Sequence, residues 1–173
     1  YTVGDLIYQD VLLRAAENGL KSVVSATANK SMLVFVGLPI KVDGRIYNCA
    51  AAAANGKLLA IYAKRNLPNY NEFYEKRYFS PASDVTKNID FCGFNVPFGY
   101  KIILKNALMP EMKVSCEICE DIWVPDSPSV SHALAGANVI VNLSASNESA
   151  GKENYRRQMV SMQSSKCLCA YIY

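Results

Sequence analysis

Histidine and tryptophan are almost missing from this chain: its 173 residues include one of each, His132 and Trp123. His132 is therefore the sole imidazole that could partner a thiol. Its setting, S-V-S-H-A-L-A-G-A, is apolar and helical, so it reads as a core or surface histidine rather than half of a Cys–His dyad. Long apolar runs are also missing. None reaches the roughly 20 residues of a membrane helix, and no signal-peptide pattern opens the chain, so no membrane partner is expected. Blocks of Lys or Arg are absent. The net charge of +3 is spread along the sequence, which excludes the usual footprint of a nucleic-acid partner. Phosphate loops are lacking too: Gly56-Lys57 and Gly151-Lys152 have neither the earlier glycine nor the following Ser/Thr of a P-loop. Without repeats or low-complexity linkers, residues 1–173 read as one domain with a sizeable core.

Six cysteines are present, including a C-x-x-C pair, Cys116 and Cys119, and a C-x-C pair, Cys167 and Cys169. Zinc is one reading of such spacing. On a strand, however, positions i and i+3 point to opposite faces, so Cys116 and Cys119 are not expected to grip one ion. No metal is expected. Reduced thiols in an intracellular protein are the reading adopted.

Asp10 to Ala28 carries apolar residues at helical spacing, with Gly19 costing the helix about 1 kcal/mol. Met32 to Leu38, Arg45 to Ala53 and Lys57 to Ala63 are strand-like. Asp43-Gly44 and Asn55-Gly56 separate them, which predicts a three-stranded antiparallel meander that delivers Lys64 at its end. Arg65 to Pro81 is a loop dense in charges and rings. Strands are expected at Lys101 to Leu104, Lys113 to Cys119, Val139 to Leu143 and from Leu168 onward. Helices are expected at Val130 to Ala137 and at Glu153 to Lys166, the latter with Tyr155, Met159 and Met162 on one stripe. Mixed elements with antiparallel hairpins make the class α/β or α+β.

Cys119 ends the strand-like segment V-S-C-E-I-C and is followed at once by Glu120 and Asp121. Strand alternation puts Val114, Cys116 and Ile118 on one face and Ser115, Glu117 and Cys119 on the other. Cys116 is then the core thiol and Cys119 the candidate nucleophile. A thiolate needs a nearby cation, base or helix dipole. Lys64, at a strand end, could serve as that cation and later stabilise an oxyanion. Taken alone, Lys64 reads as a solvated surface charge, and its functional case rests on the segment after it.

The segments K-R-N-L-P-N-Y-N-E-F-Y-E-K-R-Y-F at Lys64 to Phe79, C-E-I-C-E-D-I-W-V-P ending at Pro125, and N-L-S-A-S-N at Asn142 to Asn147 resemble a known family. They are similar to the motifs of the glutamine amidotransferase domain of glutamine-dependent NAD synthetases, a branch of the nitrilase (C–N hydrolase) superfamily. The opening Y-T-V-G-D-L-I-Y-Q-D-V-L-L and the G-L-P at Gly37 to Pro39 fit as well. The resemblance implies a nitrilase-type α-β-β-α sandwich, incomplete here in its first strand and its C-terminal strands. It implies a Glu-Lys-Cys triad in which Cys119 attacks the amide carbon of glutamine. Lys64 and the backbone N–H of Glu120 would stabilise the oxyanion. The family's base glutamate, in a P-E-L-like motif, would precede Tyr1, so no residue of this sequence takes that role. Glu75 matches a loop glutamate that hydrogen-bonds the lysine; a surface ion pair with Lys76 or Arg77 is the other reading.

Tyr70 and Phe73 would line the glutamine pocket, or simply pack the loop. Ser146 and Lys152 would contact glutamine, and Glu120 would hold its ammonium. The resemblance implies no cofactor for the glutaminase portion. It assigns ATP, Mg and deamido-NAD to a C-terminal synthetase domain, whose S-G-G-x-D-S loop this sequence lacks. It further implies L-glutamine as substrate, a cytoplasmic location and a homo-oligomer. Other C–N hydrolases, such as an aliphatic amidase or nitrilase, and a catalytically inactive fragment or interaction module are the alternatives. Without the base, which contributes about 10²–10⁴-fold, residues 1–173 alone are expected to turn over little.

Overall fold

A 3-10 turn at Gly4–Tyr8 leads into helix α1, Asp10–Ala26. The structure, a computed structural model, describes residues 3–173; Tyr1 and Thr2, which begin the opening motif quoted above, lie outside the described residues. The inner stripe of α1 buries Leu20 and Val24. Thr27 closes the helix: its hydroxyl donates to the Val24 carbonyl at 2.7 Å and accepts the Gly56 N–H at 2.9 Å. One buried side chain thus caps the helix and anchors a strand turn.

The predicted meander is present as β1 (Val34–Val42), β2 (Arg45–Ala54) and β3 (Lys57–Ala63), antiparallel throughout. Asn55 and Gly56 both adopt positive φ, +48° and +73°, as a tight hairpin turn requires. Cys49 to Ala53 in β2 are completely buried. Cys49, Ala51 and Ala53 face α1, whereas Ala50 and Ala52 face the second sheet. Small side chains on both faces let two layers approach this strand closely.

A second hairpin, β4 (Lys87–Phe91) and β5 (Phe94–Gly99), extends this sheet and was not expected from the sequence. Its turn is Cys92-Gly93, with φ of +54° and +84°. Cysteine stands where Asn or Asp would have signalled the turn. Strand β5 runs parallel to β3, giving the order β1-β2-β3-β5-β4.

The second sheet contains β6 (Leu104–Lys105), β7 (Lys113–Ile118), β8 (Val139–Leu143) and β9 (Ala170–Ile172), in that order. Strands β7, β8 and β9 are parallel, joined through helices α2 (Pro128–Leu134) and α3 (Lys152–Cys167). The strand expected at Lys101 to Leu104 is reduced to Leu104–Lys105. Helix α2 begins at Pro128, earlier than expected, because proline suits the first helical turn. Leu168 caps α3 at φ +51° and does not begin the last strand.

Three clusters mark the interfaces of the α-β-β-α sandwich. One lies between α1 and the first sheet, around Leu20, Ile40, Ile61 and Phe98. The second lies between the sheets, around Ala50, Tyr62, Cys116 and Ile118. The third, with Ala137, Ile140 and Cys169, lies on the outer side of the second sheet. No residue of α3 is buried; Tyr155 and Met162 on its apolar stripe are 60% and 71% exposed. Among the described residues, no helix is long and apolar enough to cross a membrane.

Candidate active site

Lys64 leaves the first sheet directly after β3. Its N–H donates to the Asn48 carbonyl at 2.8 Å, and its own carbonyl accepts from Ala82 at 2.9 Å. The backbone is fixed on both sides, so the side chain has a defined direction. Nζ donates to both carboxylate oxygens of Glu75, at 2.9 and 2.8 Å. The Lys64 and Glu75 side chains are 0% and 7% exposed. Glu75 therefore forms a buried pair and not the surface pair with Lys76 or Arg77 that was one reading of the loop; Arg77 pairs with Asp5 instead.

Cys119 follows the last residue of β7. Ile118 is still extended, but Cys119 turns to φ +47°, a left-handed conformation uncommon for a residue with a side chain. Strand alternation stops applying there. Cys119 packs against the inter-sheet cluster that holds Cys116 and Ile118, not with Ser115 and Glu117 on the outer face. This corrects the face assigned from alternation, and it removes the parity argument against shared ligation with Cys116. Among the described residues, no group of three or more His, Cys, Asp or Glu could hold a metal ion. Burial pushes the Cys116 thiol well up, in keeping with an inert core cysteine.

Two side chains hold the turn at Cys119. Asp121 accepts the Ile118 N–H at 3.0 Å with one oxygen. Its other oxygen accepts the Asn66 backbone N–H at 2.8 Å and side-chain amide at 2.9 Å. Asn142 of β8 accepts the Cys119 N–H at 2.9 Å. The sequence reading did not identify either residue as part of the site. Asp121 had a usable signal, since an acid three residues after a strand end is the spacing that returns to a helix-start N–H. Asn142 was quoted only as part of a motif.

Lys64, Glu75 and Cys119 line one cavity of about 540 Å³, together with Leu38, Ile118 and Leu143. Cys119 also borders a polar pocket of about 250 Å³, where Tyr70, Phe73, Glu120, Ser146 and Lys152 come together with Trp123. The expected site residues thus meet at the thiol from two sides. The Tyr70 hydroxyl donates to Glu120 at 2.9 and 3.1 Å. Partial burial, followed by that hydrogen bond, pushes the Tyr70 phenol up to about 12. Phe73 packs edge-on against Tyr70, so pocket lining and loop packing are both served. Lys152 lies 5.3 Å over the Trp123 ring and donates to Asn147. His132 lines neither space. It is buried, with Nε2 2.8 Å from the Tyr100 carbonyl, and burial lowers its pKa to about 4.

A strand-end thiol beside a buried Lys–Glu pair is suited to attack on a carbonyl carbon. Comparison with known proteins agrees: residues 6–173 match the carbon–nitrogen hydrolase family. The chain belongs to the carbon–nitrogen hydrolase family. It is 38% identical over 173 residues to a glutamine-dependent NAD(+) synthetase of Mycobacterium tuberculosis, covering 100% of this chain and 26% of that protein. The crystal structure of a glutamine-dependent NAD(+) synthetase from Cytophaga hutchinsonii superposes with a TM-score of 0.85 at 27% identity, covering 99% of this chain and 27% of that one. An amidase from Nesterenkonia sp. shares the fold, with a TM-score of 0.68 at 17% identity over 99% of this chain and 57% of that one. The chain spans about a quarter of the length of the curated relatives it matches.

Proposed function

We propose that this chain is the glutaminase part of a glutamine-dependent NAD synthetase. The observation that carries the proposal is the meeting of two unlike spaces at Cys119. One holds the buried Lys64–Glu75 pair, and the other is lined by Tyr70, Glu120, Ser146 and Lys152. Cys119 Sγ attacks the side-chain amide carbon of glutamine. The carbonyl oxygen becomes an oxyanion, stabilised by Lys64 Nζ and the Glu120 N–H. The C–N bond breaks, the nitrogen leaves as ammonia after taking a proton, and a thioester remains on Cys119. Water then hydrolyses the thioester to glutamate and free thiol. Glu75 keeps the Lys64 ammonium in place. The base that takes the thiol proton is the glutamate implied by the family resemblance, and no residue of 1–173 is assigned to it.

Glu120 and Lys152 supply opposite charges around the polar pocket. A free amino acid carries an ammonium and a carboxylate, so this pair favours glutamine over a simple aliphatic amide. Residues 1–173 contain no phosphate-binding loop, and we assign ATP, Mg and deamido-NAD to a C-terminal synthetase domain that receives the ammonia. The reading includes a cytoplasmic protein, supported by six free thiols, and a homo-oligomer, supported by the exposed apolar stripe of α3. Diazo-oxo-norleucine should alkylate Cys119, detected on its peptide by mass spectrometry. Glutamine should protect and aliphatic amides should not. Protection by aliphatic amides, or labelling at other cysteines alone, would overturn the substrate assignment. In the full-length protein, Cys119→Ala should abolish glutamine-dependent NAD synthesis and spare the ammonia-dependent reaction.

A further inference from the structure

The outer face of the second sheet carries a chain of polar side chains that ends on the nucleophile's own backbone. Glu117 of β7 and Asn142 of β8 are register partners, and Tyr171 of β9 pairs with Ile140, two residues before Asn142. Glu117 and Asn142 are 2% and 4% exposed. One Glu117 oxygen accepts the Ser129 N–H at 2.7 Å, and the other accepts the Tyr171 hydroxyl proton. Having donated its single proton, the Tyr171 oxygen can only accept, and it takes Asn142 Nδ2 at 3.0 Å. That fixes the orientation of the Asn142 amide, with Oδ1 toward the Cys119 N–H at 2.9 Å.

We propose that Glu117, Tyr171 and Asn142 form a directional hydrogen-bond relay that holds Cys119 in its left-handed conformation, so that the thiol stays on the Lys64 side of the sheet. These are positioning residues; none of them lines either space at the thiol. Strand continuation would send the Cys119 side chain outward with Ser115 and Glu117. The left-handed turn reverses this at an energetic cost, and a satisfied N–H at the turn offsets part of it. The direction of every proton in the relay follows from the acceptor-only carboxylate at Glu117.

That directionality makes the relay testable by reversal. In Glu117→Gln, the new amide must face either Ser129 N–H or Tyr171 with a donor. The first choice sets donor against donor; the second reverses the Tyr171 proton and turns Asn142 Nδ2 toward the Cys119 N–H. In Asn142→Asp, two acceptor-only carboxylates compete for the one Tyr171 proton. The double variant Glu117→Gln/Asn142→Asp matches every partner again with the direction reversed. The amide now at position 117 donates to Tyr171, and Tyr171 donates to the carboxylate now at position 142. That carboxylate accepts the Cys119 N–H. The restoration is incomplete only at the Cys119 carbonyl, which Asn142 Nδ2 also approaches at 3.5 Å.

The experiment is the rate of iodoacetamide alkylation of Cys119 in this chain, read by peptide mass spectrometry. Cys92, which is half-buried on the first sheet, serves as the internal reference. Glu117→Gln, Asn142→Asp and Tyr171→Phe should each slow Cys119 relative to Cys92 by about tenfold, the scale of one lost buried hydrogen bond. The double variant should recover most of that loss. In the full-length protein the same pattern should appear in kcat with KM for glutamine unmoved. Unchanged Cys119 alkylation in all three single variants would overturn the relay, as would a double variant slower than either of its parents. If a charge-altered single variant does not fold, Tyr171→Phe and the double variant carry the comparison. The kinetic arm rests on the glutaminase reading, but the alkylation arm uses no glutamine. Relay-dependent alkylation without glutamine turnover would refute the function and keep the relay; turnover with relay-independent alkylation would do the reverse.

Discussion

The buried Lys64–Glu75 pair allows stability and activity to be pulled apart. Both side chains are almost fully removed from water, and both Glu75 oxygens accept from the same ammonium at 2.8–2.9 Å. Glu75→Gln keeps the shape but leaves a buried cation without its carboxylate. Breaking one partner of such a pair costs about 3–5 kcal/mol. For a domain of this size each kcal/mol moves Tm by about 2–4 °C, so the variant should melt roughly 6–20 °C lower. Lys64→Met should be similarly destabilised, because it removes the ammonium from which both Glu75 oxygens accept. The double variant Lys64→Met/Glu75→Leu removes both charges, and such replacements are often neutral or stabilising. Its Tm should recover toward that of the parent, while alkylation of Cys119 by a glutamine-like electrophile is lost with the Lys64 ammonium. Thermal unfolding by circular dichroism reads the first quantity and diazo-oxo-norleucine labelling of Cys119 reads the second. A loss in Glu75→Gln below about 1 kcal/mol, the range of surface pairs, would refute the buried-pair reasoning. So would full labelling of Cys119 in the double variant.

His132 should give a distinct pH signature. Its folded-state pKa of about 4 lies below the ordinary 6.5, so the buried neutral ring contributes stability above pH 6.5 that is lost as pH falls toward 4. At roughly 1.4 kcal/mol per pH unit the full loss is about 3 kcal/mol, and His132→Gln should flatten the Tm profile across that window; an unchanged slope would count against it. Tyr70→Phe removes the hydroxyl that donates to Glu120 from a half-exposed ring. Stability should change by no more than about 0.5 kcal/mol while KM for glutamine rises, and an unmoved KM would separate the polar pocket from substrate. Ala52→Leu adds bulk where the residue is 0% exposed between the sheets. Chemical denaturation should show a loss of about 1–3 kcal/mol or more, and a neutral result would mean that the layers can part.

The meander was legible because Asp43-Gly44 and Asn55-Gly56 are turn dipeptides with a physical reason to be there. The β4–β5 hairpin uses the same left-handed pair of conformations at Cys92-Gly93, but cysteine has no turn preference that announces it. Lys64 was placed correctly because it follows a strand whose end was marked by composition. Cys119 was located correctly but given the wrong face. Alternation is a property of extended backbone, and Cys119 is the first residue that is not extended. The partner of Glu75 was implied by family resemblance and not by spacing: its neighbours Lys76 and Arg77 were the local candidates, yet burial selected Lys64, eleven residues away. The relay was invisible in the sequence because its members lie on three strands that become adjacent only through parallel pairing.

The geometry of the site depends on a seam, since Lys64 leaves one sheet and Cys119 leaves the other. The two sheets have separate hydrogen-bond ladders, so neither ladder fixes where one strand end lies relative to the other. Packing of Ala50, Tyr62, Cys116 and Ile118 sets the distance between layers but is non-directional. Asp121 supplies the direction. Its carboxylate takes the N–H of Ile118, one residue before Cys119, and two N–H groups of Asn66, two residues after Lys64. Burial pushes this carboxyl up, while the Ile118 and Asn66 donors pull it back. Without those donors the buried charge would be disfavoured, so the carboxylate is held where both strand ends are in place together. Asp121→Asn would put a donor against one of these N–H groups and loosen the sheets relative to each other. Cys119 and Lys64 would then lose their common register even with both sheets folded. The meeting of Lys64 and Cys119 at one cavity is therefore a property of the sandwich and of one buried acid, and not of either strand end alone.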